Sequence, residues 1–257
     1  VVTPLSANAA NRWLAKRTAA LVVVSRAVEK DVRGTQLYCG ERLVFIPGGA
    51  DLELFKPAGA EEKSRARAEL GIAPAAPVAA IVARFAVVKA HRVLIAAWKQ
   101  VVEKLPDAKL LLVGDGQLMA ETQAQVKSLG LEGSVQFLGR RHDVPQILDA
   151  VDVGVLSSVG SEGFSRAVLE YMAKGLPVVA TRVGAVPDLI DDGVHGALLA
   201  PDDTRALSDG LLRVISSSAA QRAEWGRASR EKAERGYGYD AWVRAHEELY
   251  QRIVSGF

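Results

Sequence analysis

Two carboxylates and a glycine-bearing turn lie near the middle of the chain. Glu162 lies in the turn 160–165, and Glu170 lies about two turns deeper, inside the apolar helical run that follows. A turn that leads into a helix presents unpaired backbone N–H groups and the positive end of the helix dipole. Such a place binds phosphate or sugar hydroxyls, and carboxylates accept hydrogen bonds from hydroxyl groups. The alternative is that both acids only stabilise a helix start.

Arg84 and Lys89 are the cations best placed to meet a phosphate. Both follow the apolar run 78–83 and precede a helical run that begins at His91. A guanidinium fork together with a lysine ammonium suits a diphosphate. The alternative, two solvated charges, is less favoured because a cation at a helix start opposes the helix dipole.

Alternating apolar and amphipathic runs must position these side chains. Strands that are apolar throughout and separated by helices are typical of a parallel sheet covered on both faces. We therefore predict an α/β fold, a doubly wound parallel sheet, with ligands at the carboxyl ends of its strands. The predicted strands are 78–83, 109–113, 134–138, 153–156, 177–180 and 196–199. The predicted helices are 91–104, 117–129, 144–150, 165–174, 187–190, 204–216, 219–234 and 239–254.

The first 50 residues carry fewer elements than the rest. Helical periodicity and short apolar runs predict two helices and two strands there. A Pro-Gly break follows, and the stretch from it to Pro57 predicts a linker or a tight crossover. The predicted elements are helix 7–18, strand 20–24, helix 25–32 and strand 43–46.

Glycines and arginines follow two further predicted strands. Gly114 and Gly116 come after the second strand, and Arg140 and Arg141 come after the third. A tight strand-to-helix turn explains the two glycines almost fully, and the arginines fit a solvated surface equally well. All four nevertheless fall on the same predicted sheet edge as the two cations above, because the carboxyl ends of parallel strands meet at one edge.

Composition narrows the class of protein. The 257 residues are 49% apolar and 24% charged, which is typical of a soluble globular protein of one large or two small domains. The net charge of +2 does not indicate a nucleic-acid binder. A single cysteine, Cys39, fits a reducing compartment. We also expect no membrane span, no signal peptide and, from the scattered histidines, no metal site.

An ordered set of short motifs resembles the retaining, family-4 type of glycosyltransferase with the GT-B fold. The resemblance runs from about residue 15 to the end of the chain, and as an ordered set the motifs are highly specific. They are IPGGAD at 46–51 with Phe55, VARF at 82–85 with Lys89, LVGDG at 112–116, FLG at 137–139, SEGF at 161–164 with Glu170, PVVAT at 177–181, and DG at 192–193 with Gly196.

This resemblance implies roles for the charged residues. Arg84 and Lys89 would hold the diphosphate of a nucleotide-sugar donor, and Glu162 would contact hydroxyls of the transferred sugar. These three would form the catalytic set. Glu170 would bind the ribose hydroxyls. No metal or other cofactor is implied, since the cations and the helix start supply the charge that a metal ion would.

Backbone groups complete the donor site that the resemblance implies. Amides of the turn 163–165 would meet sugar and phosphate, and the loop at 140–141 would border the nucleobase. The glycines at 114 and 116 would let the chain pass close to the donor. The implied substrate-binding residues are Gly114, Gly116, Arg140, Arg141, Gly163, Phe164, Ser165 and Glu170.

The resemblance also implies a domain organisation. A GT-B enzyme has two Rossmann-like domains with the active site between them. Residues 1–50 resemble the end of the N-terminal, acceptor-binding domain plus the linker, and residues 51–257 resemble the Rossmann-like donor-binding domain. The helix 239–254 resembles the element that crosses back to the first domain, and it either packs on residues 1–35 or exposes an apolar face.

The expected function follows from this organisation. The chain would be the donor half of an enzyme that transfers a sugar from a nucleotide-diphosphate sugar to a glycan or lipid-linked acceptor. It would be inactive alone or would dock onto a separate N-terminal domain. Polysaccharide or lipid-linked glycan synthesis in the cytoplasm, including the inner face of the membrane, is the setting most frequent in the family.

Five positions depart from the family's usual residues. We expect methyl groups at 83 and 90 to reshape the phosphate loop, which implies low donor affinity or an unusual donor. The departures are Ala83 and Ala90 for Gly, Gly48 for Asn, Ser165 for Gly and Asp188 for Glu.

Two other functions fit the same fold. A nucleotide-sugar epimerase is less favoured, because the turn at Glu162 and its partner Glu170 indicate transfer. A non-catalytic nucleotide-binding or dinucleotide-binding module is the other. Against dinucleotide binding, no G-x-G-x-x-G follows the first predicted strand of the sheet.

Overall fold

A six-stranded parallel sheet forms the body of the chain, and a two-stranded parallel sheet precedes it. The computed structural model describes residues 6–160 and 162–256. The strands are β1 (Leu21–Val23), β2 (Leu43–Phe45), β3 (Val78–Val82), β4 (Lys109–Val113), β5 (Val135–Gly139), β6 (Val153–Leu156), β7 (Val178–Thr181) and β8 (Gly196–Leu199). The helices are α1 (Ala9–Ala15), α2 (Arg26–Gly34), α3 (Ala60–Glu69), α4 (His91–Lys104), α5 (Met119–Ser128), α6 (Val144–Asp149), α7 (Arg166–Ala173), α8 (Val186–Leu189), α9 (Thr204–Ile215), α10 (Ala219–Gly236) and α11 (Tyr239–Ser255).

The strand order in the larger sheet is β5-β4-β3-β6-β7-β8, which confirms the predicted doubly wound parallel sheet. The chain builds outward from β3 to β5, then returns to lay β6 against the other side of β3. Ala79 pairs with Val153 at this junction, and Ala80 pairs with Gly154. In open α/β sheets, ligands bind in the crevice where the strand order reverses. The loops after β3 and β6 border this crevice.

Two helical layers cover the larger sheet because successive side chains of a strand point to opposite faces. Ala80 belongs to the buried apolar cluster that includes Tyr171 of α7, whereas Ile81 belongs to the cluster that includes Trp98 of α4. The Tyr171 hydroxyl also accepts a hydrogen bond from the backbone N–H of Val82 at 2.7 Å. This bond ties α7 to the end of β3, so the two elements that border the crevice keep a fixed spacing.

The apolar pattern of the sequence does not predict helix α3, and the structure shows why. Its residues are nearly all charged or alanine, so no apolar stripe marks it. Arg67 is buried and bonds the Asp152 carboxylate at 2.7 Å, and Lys63 bonds the other oxygen of Asp152 at 2.6 Å. Asp152 also accepts the N–H of Val78 at 2.8 Å. Charge-assisted hydrogen bonds therefore anchor α3 to the starts of β3 and β6.

A side-chain hydrogen bond and a backbone bridge are among the contacts that join the first 50 residues to the larger domain. The N–H of Arg26, at the start of α2, donates to the carboxylate of Asp188 in α8 at 2.8 Å. Ala50 forms a bridge to Gly238, directly before α11. The linker between the two sheets is therefore held against the start of the last helix.

Helix α11 has an exposed apolar face, one of the two outcomes expected for the predicted helix 239–254. Trp13 and Leu14 of α1 are exposed as well. Among residues 6–160 and 162–256, no helix combines the length and the apolar character needed to cross a bilayer. The exposed large apolar side chains of α11 are Tyr239, Trp242, Val243, Tyr250 and Val254.

Ala90 adopts a left-handed conformation, with φ 48° and ψ 44°, directly before α4. A residue other than glycine in that conformation costs about 1–2 kcal/mol, and replacement by glycine relieves this strain. Glycine also raises the entropy of the unfolded chain, which cancels about 0.4–1 kcal/mol of the gain in stability. We expect Ala90→Gly to raise the free energy of unfolding by about 0.5–1 kcal/mol in urea denaturation. Ala83→Gly is the control, because Ala83 lies outside that region and should lose stability. Equal losses in the two variants would contradict the strain at Ala90.

Candidate functional site

The loops after β3 and β6 are bonded to each other at the crevice. Lys89, in the first loop, donates from Nζ to Oε1 of Glu162, in the second. The hydroxyl of Ser157 donates to the carbonyl of Lys89 at 2.8 Å, and the N–H of Val159 donates to the carbonyl of Val88 at 2.9 Å. The structure thus brings together two of the three residues expected to form the catalytic set.

Glu162 is almost enclosed, with 9% of its side chain exposed. Besides Lys89, the hydroxyl of Ser158 donates to the same Oε1 at 2.5 Å. Its backbone carbonyl accepts the N–H of Ala185 at 2.8 Å, and a Cβ on Gly184 would overlap that carbonyl. A buried carboxylate needs such partners, because the loss of hydration otherwise outweighs the attraction of one cation. Two hydrogen bonds therefore hold the carboxylate, and a third holds the backbone of Glu162.

Ser158 is a site residue that sequence analysis missed. It is fully buried, its hydroxyl holds Glu162, and its carbonyl accepts the hydroxyl of Thr181 at 2.5 Å. The signal was present, since two consecutive serines follow a buried apolar strand at the edge where ligands are expected. Polar side chains directly after such a strand are candidates for the site even without charge.

Arg84 lies in the same loop as Lys89 but differs from it in its surroundings. Its side chain is exposed, and none of the salt bridges within the described residues involves it. An exposed guanidinium keeps its five N–H donors for an anion that enters the crevice. Lys89, by contrast, is engaged by the carboxylate of Glu162.

The turn 162–165 leads into α7 as predicted, and Ser161 lies outside the described residues. Gly163 and Phe164 are half-buried, and Ser165 is buried at the N-cap position. The side chain of Ser165 makes no capping hydrogen bond to the helix. The hydroxyl of the N-cap residue therefore leaves the first N–H groups of α7 to other acceptors.

Glu170 lies one helical turn after the exposed Arg166, on α7. Its side chain is 15% exposed, and its carboxylate lies 3.8 Å from the guanidinium of Arg166. Burial raises the pKa of Glu170 to about 6, and the positive charge of Arg166 limits the rise. A carboxyl group with little hydration and one distant cation has accepting capacity left for a ligand.

Gly114 and Gly116 lie where the loop after β4 packs closely against the loop after β3. Both have φ values that favour glycine, 137° and 148°. A Cβ on Gly114 would overlap the carbonyl of Ala83, and one on Gly116 would lie 2.6 Å from the carbonyl oxygen of Phe85. The turn itself therefore requires both glycines, as one of the two sequence-based interpretations held. Their contact with a donor stays a prediction.

Arg140 and Arg141 lie farther from the crevice, at the end of β5. This strand is the edge of the sheet, and β4 separates it from β3. Arg141 binds Asp143 with both ends of its guanidinium, at 2.7 and 2.5 Å, and this hydrogen-bonded cation lowers the pKa of the Asp143 carboxyl. Arg140 is exposed. The structure does not bring these arginines into the bonded pair of loops.

His91 is a further buried residue behind the β3 loop. Its ring stacks on Phe85 with centroids 4.2 Å apart, and burial together with the positive charge of Lys89 lowers the pKa of His91 to about 4. Neither ring nitrogen has a hydrogen-bond partner within the described residues. Nor do the described residues bring three His, Cys, Asp or Glu side chains together as a metal site would require.

Another cavity, of about 330 Å³, lies at the opposite end of the sheet. Lys63, Lys174 and Arg222 line it. Lys63 and Lys174 are already bonded to carboxylates, and Arg222 donates to two backbone carbonyls. These cations have structural partners, which distinguishes this cavity from the crevice with its exposed arginine.

The chain belongs to the group 1 glycosyltransferases. The sequence model of that family, described as "Glycosyl transferases group 1", matches residues 76–217, which span the sheet from before β3 to after α9. This match confirms that the ordered motifs indicated a glycosyltransferase.

Individual relatives agree with this assignment. The chain is 30% identical to an N-acetyl-alpha-D-glucosaminyl L-malate synthase of Bacillus anthracis, over 75% of this chain and 50% of the relative. It is 33% identical to a D-inositol 3-phosphate glycosyltransferase of Mycobacterium marinum, over 84% and 46%. Its fold resembles that of Anabaena Alr3699/HepE in complex with UDP, with a TM-score of 0.82 and 26% identity over 92% and 64%. The chain spans about half the length of the curated relatives it matches.

The raised pKa of Glu170 predicts a pH-dependent stability. Between pH 4.5 and about 6 the folded carboxyl keeps a proton that the unfolded chain has lost, so stability falls as pH rises through this window. Glu170→Gln should therefore gain stability relative to the wild type, by up to about 2 kcal/mol, between pH 4.5 and 7. Urea denaturation at both pH values measures this gain.

A matched control for this prediction is Glu231→Gln, the same change at an exposed position of α10. It should not reproduce the pH-dependent gain. A Glu170→Gln variant whose difference from the wild type is constant between the two pH values would show that burial does not perturb Glu170.

Proposed function

We propose that this chain is the donor-binding half of a retaining glycosyltransferase and that it binds a nucleotide-diphosphate sugar between the loops after β3 and β6. The observation that carries the proposal is the ion pair of the half-buried Lys89 with the buried Glu162, at the point where the strand order reverses. In one crevice, a cation suits the diphosphate of such a donor and a carboxylate suits the hydroxyl groups of its sugar. The UDP in the Anabaena Alr3699/HepE structure supports a nucleoside diphosphate here.

In this proposal one carboxylate oxygen of Glu162 bonds the protein, and the other binds the sugar. Oε1 accepts both hydrogen bonds, from Lys89 and from Ser158, and no donor among the described residues bonds Oε2. Oε2 would then accept a hydroxyl of the transferred sugar. Because Oε1 is fixed, the carboxylate meets the sugar in one orientation, and little ordering remains to be done on binding.

The diphosphate would bind where positive charge converges. Arg84, Lys89 and the start of α7 all border the crevice, and the N-terminal end of a helix attracts anions. As the bond between the sugar and the diphosphate breaks, negative charge develops on the leaving phosphate. Preorganised donors aimed at that charge lower the barrier, and in this proposal they replace a metal ion. Glu170 would accept hydroxyl groups of the ribose.

The acceptor would be bound mainly by a separate N-terminal half. The chain spans about half the length of its curated relatives. In this proposal the two-stranded sheet of β1 and β2 belongs to that N-terminal half, which would complete the sheet and cover the exposed face of α11. The acceptor is a glycan or a lipid-linked glycan, and the reaction takes place in the cytoplasm or at the inner face of the membrane.

Two alanine substitutions test the proposed division of roles. Glu170→Ala should weaken binding of both the nucleotide and the nucleotide sugar by about 10- to 100-fold, since a hydrogen bond to a charged group is worth about 1.5–3 kcal/mol. Glu162→Ala should weaken binding of the nucleotide sugar only. The bare nucleotide should bind this variant as well as the wild type or better, because Lys89 loses a competing anion. Titration calorimetry with each ligand measures all four affinities.

Thermal melting must first show that both variants fold, with Glu231→Ala as the exposed control. A loss of bare-nucleotide affinity in Glu162→Ala equal to the loss of nucleotide-sugar affinity would contradict the assignment. NMR of the products then separates the activities. Transfer or hydrolysis releases nucleotide, an epimerase yields a new donor sugar, and a binding module yields neither.

A further inference from the structure

We propose that Phe164 is a positioning residue, whose ring rests on Gly48 and makes the sugar-binding turn depend on the linker between the two sheets. Gly48 lies in the linker that follows β2, and Phe164 lies two residues after Glu162. The ligand-binding part of this inference rests on the proposed function. The contact itself rests only on the packing of this chain.

The ring of Phe164 fills the space that a side chain at position 48 would need. A Cβ built on Gly48 would lie 2.5 Å from Cε1 and 2.6 Å from Cδ1 of Phe164. The φ of Gly48 lies outside the left-handed region, so the backbone there would accept any residue. Glycine is therefore required for room and not for conformation.

The linker is held from its other side by the start of α11. The N–H of Ala50 donates to the carbonyl of Tyr237 at 2.8 Å, and the N–H of Tyr239 donates to the carbonyl of Ala50 at 3.0 Å. A Cβ on Gly49 would lie 2.9 Å from Cδ1 of Tyr239. The linker consequently has no room to move toward α11 when the ring of Phe164 presses on it.

The turn has two fixed ends, and Phe164 lies between them. Glu162 is bonded through its carboxylate and its carbonyl, and α7 begins at Arg166. The ring of Phe164 packs against the buried cluster that includes Leu169 and Tyr171. The core and the linker both contact the ring. If the linker pushes the ring aside, the backbone of the turn must therefore shift. That backbone presents the carboxylate that is proposed to meet the sugar.

A double-mutant cycle tests this coupling. Gly48→Ala should weaken nucleotide-sugar binding by about tenfold, the effect of misplacing one hydrogen bond to a charged group, and should change bare-nucleotide binding by less than about twofold. In the Phe164→Ala background the same Gly48→Ala change should have no effect, because the ring that blocks the methyl group is gone. Calorimetry with the nucleotide and the nucleotide sugar gives all affinities.

Gly49→Ala is the matched control, since its methyl group would meet Tyr239 and not Phe164. Its effect should add to that of Phe164→Ala, whereas the effect of Gly48→Ala should not. Additive effects of Gly48→Ala and Phe164→Ala would overturn the proposal. If Phe164→Ala does not fold, Phe164→Leu shortens the side chain in the same cycle.

Melting temperatures of the ligand-free variants separate this proposal from the proposed function. Non-additive melting temperatures together with a lost sugar contribution support the coupling. If the melting temperatures are non-additive but Gly48→Ala leaves the nucleotide-sugar affinity unchanged, the contact serves packing only. That result would overturn the positioning role. A wild-type chain that binds neither nucleotide nor nucleotide sugar contradicts the proposed function, and additive melting temperatures in that case reject the contact as well.

Discussion

The ion pair between Lys89 and Glu162 is the interaction on which the rest of the site depends. It joins the loops after β3 and β6. These two strands are adjacent because the strand order of the sheet reverses between them. A buried carboxylate loses its hydration and is stable only with well-placed partners. Lys89 and Ser158 bond the carboxylate, while Ala185 and the close approach of Gly184 hold the backbone of Glu162. The sheet thus holds two opposite charges at a fixed separation before a ligand arrives.

This arrangement suits the crevice to a ligand that carries both anionic and hydroxyl groups. The exposed Arg84 is available to an anion at once, whereas Lys89 is shared with Glu162. An entering phosphate would draw on the same ammonium group that now stabilises the carboxylate. The pair therefore couples the two ends of the proposed donor, and the contact of Phe164 with Gly48 extends that coupling to the linker.

The sequence predicts this fold well because buried parallel strands are continuous apolar runs, and each of the six lies within a residue or two of its predicted bounds. Helix α3 escapes prediction because ion pairs of Arg67 and Lys63, and not an apolar stripe, anchor it. Ser158 gains its role through Glu162, whose carboxylate is held there by Lys89, 73 residues earlier in the chain. The left-handed conformation of Ala90 escapes prediction because alanine disfavours that conformation.

Hydrogen–deuterium exchange with and without saturating UDP, and in parallel GDP, tests the central claim that the crevice between β3 and β6 is the ligand site. The account predicts slower exchange for backbone amides of residues 84–90 and 162–168 on nucleotide binding. It predicts no change around the cavity that Lys63 and Lys174 line at the opposite end of the sheet. Slower exchange at that cavity, with unchanged exchange in the two crevice loops, would contradict it.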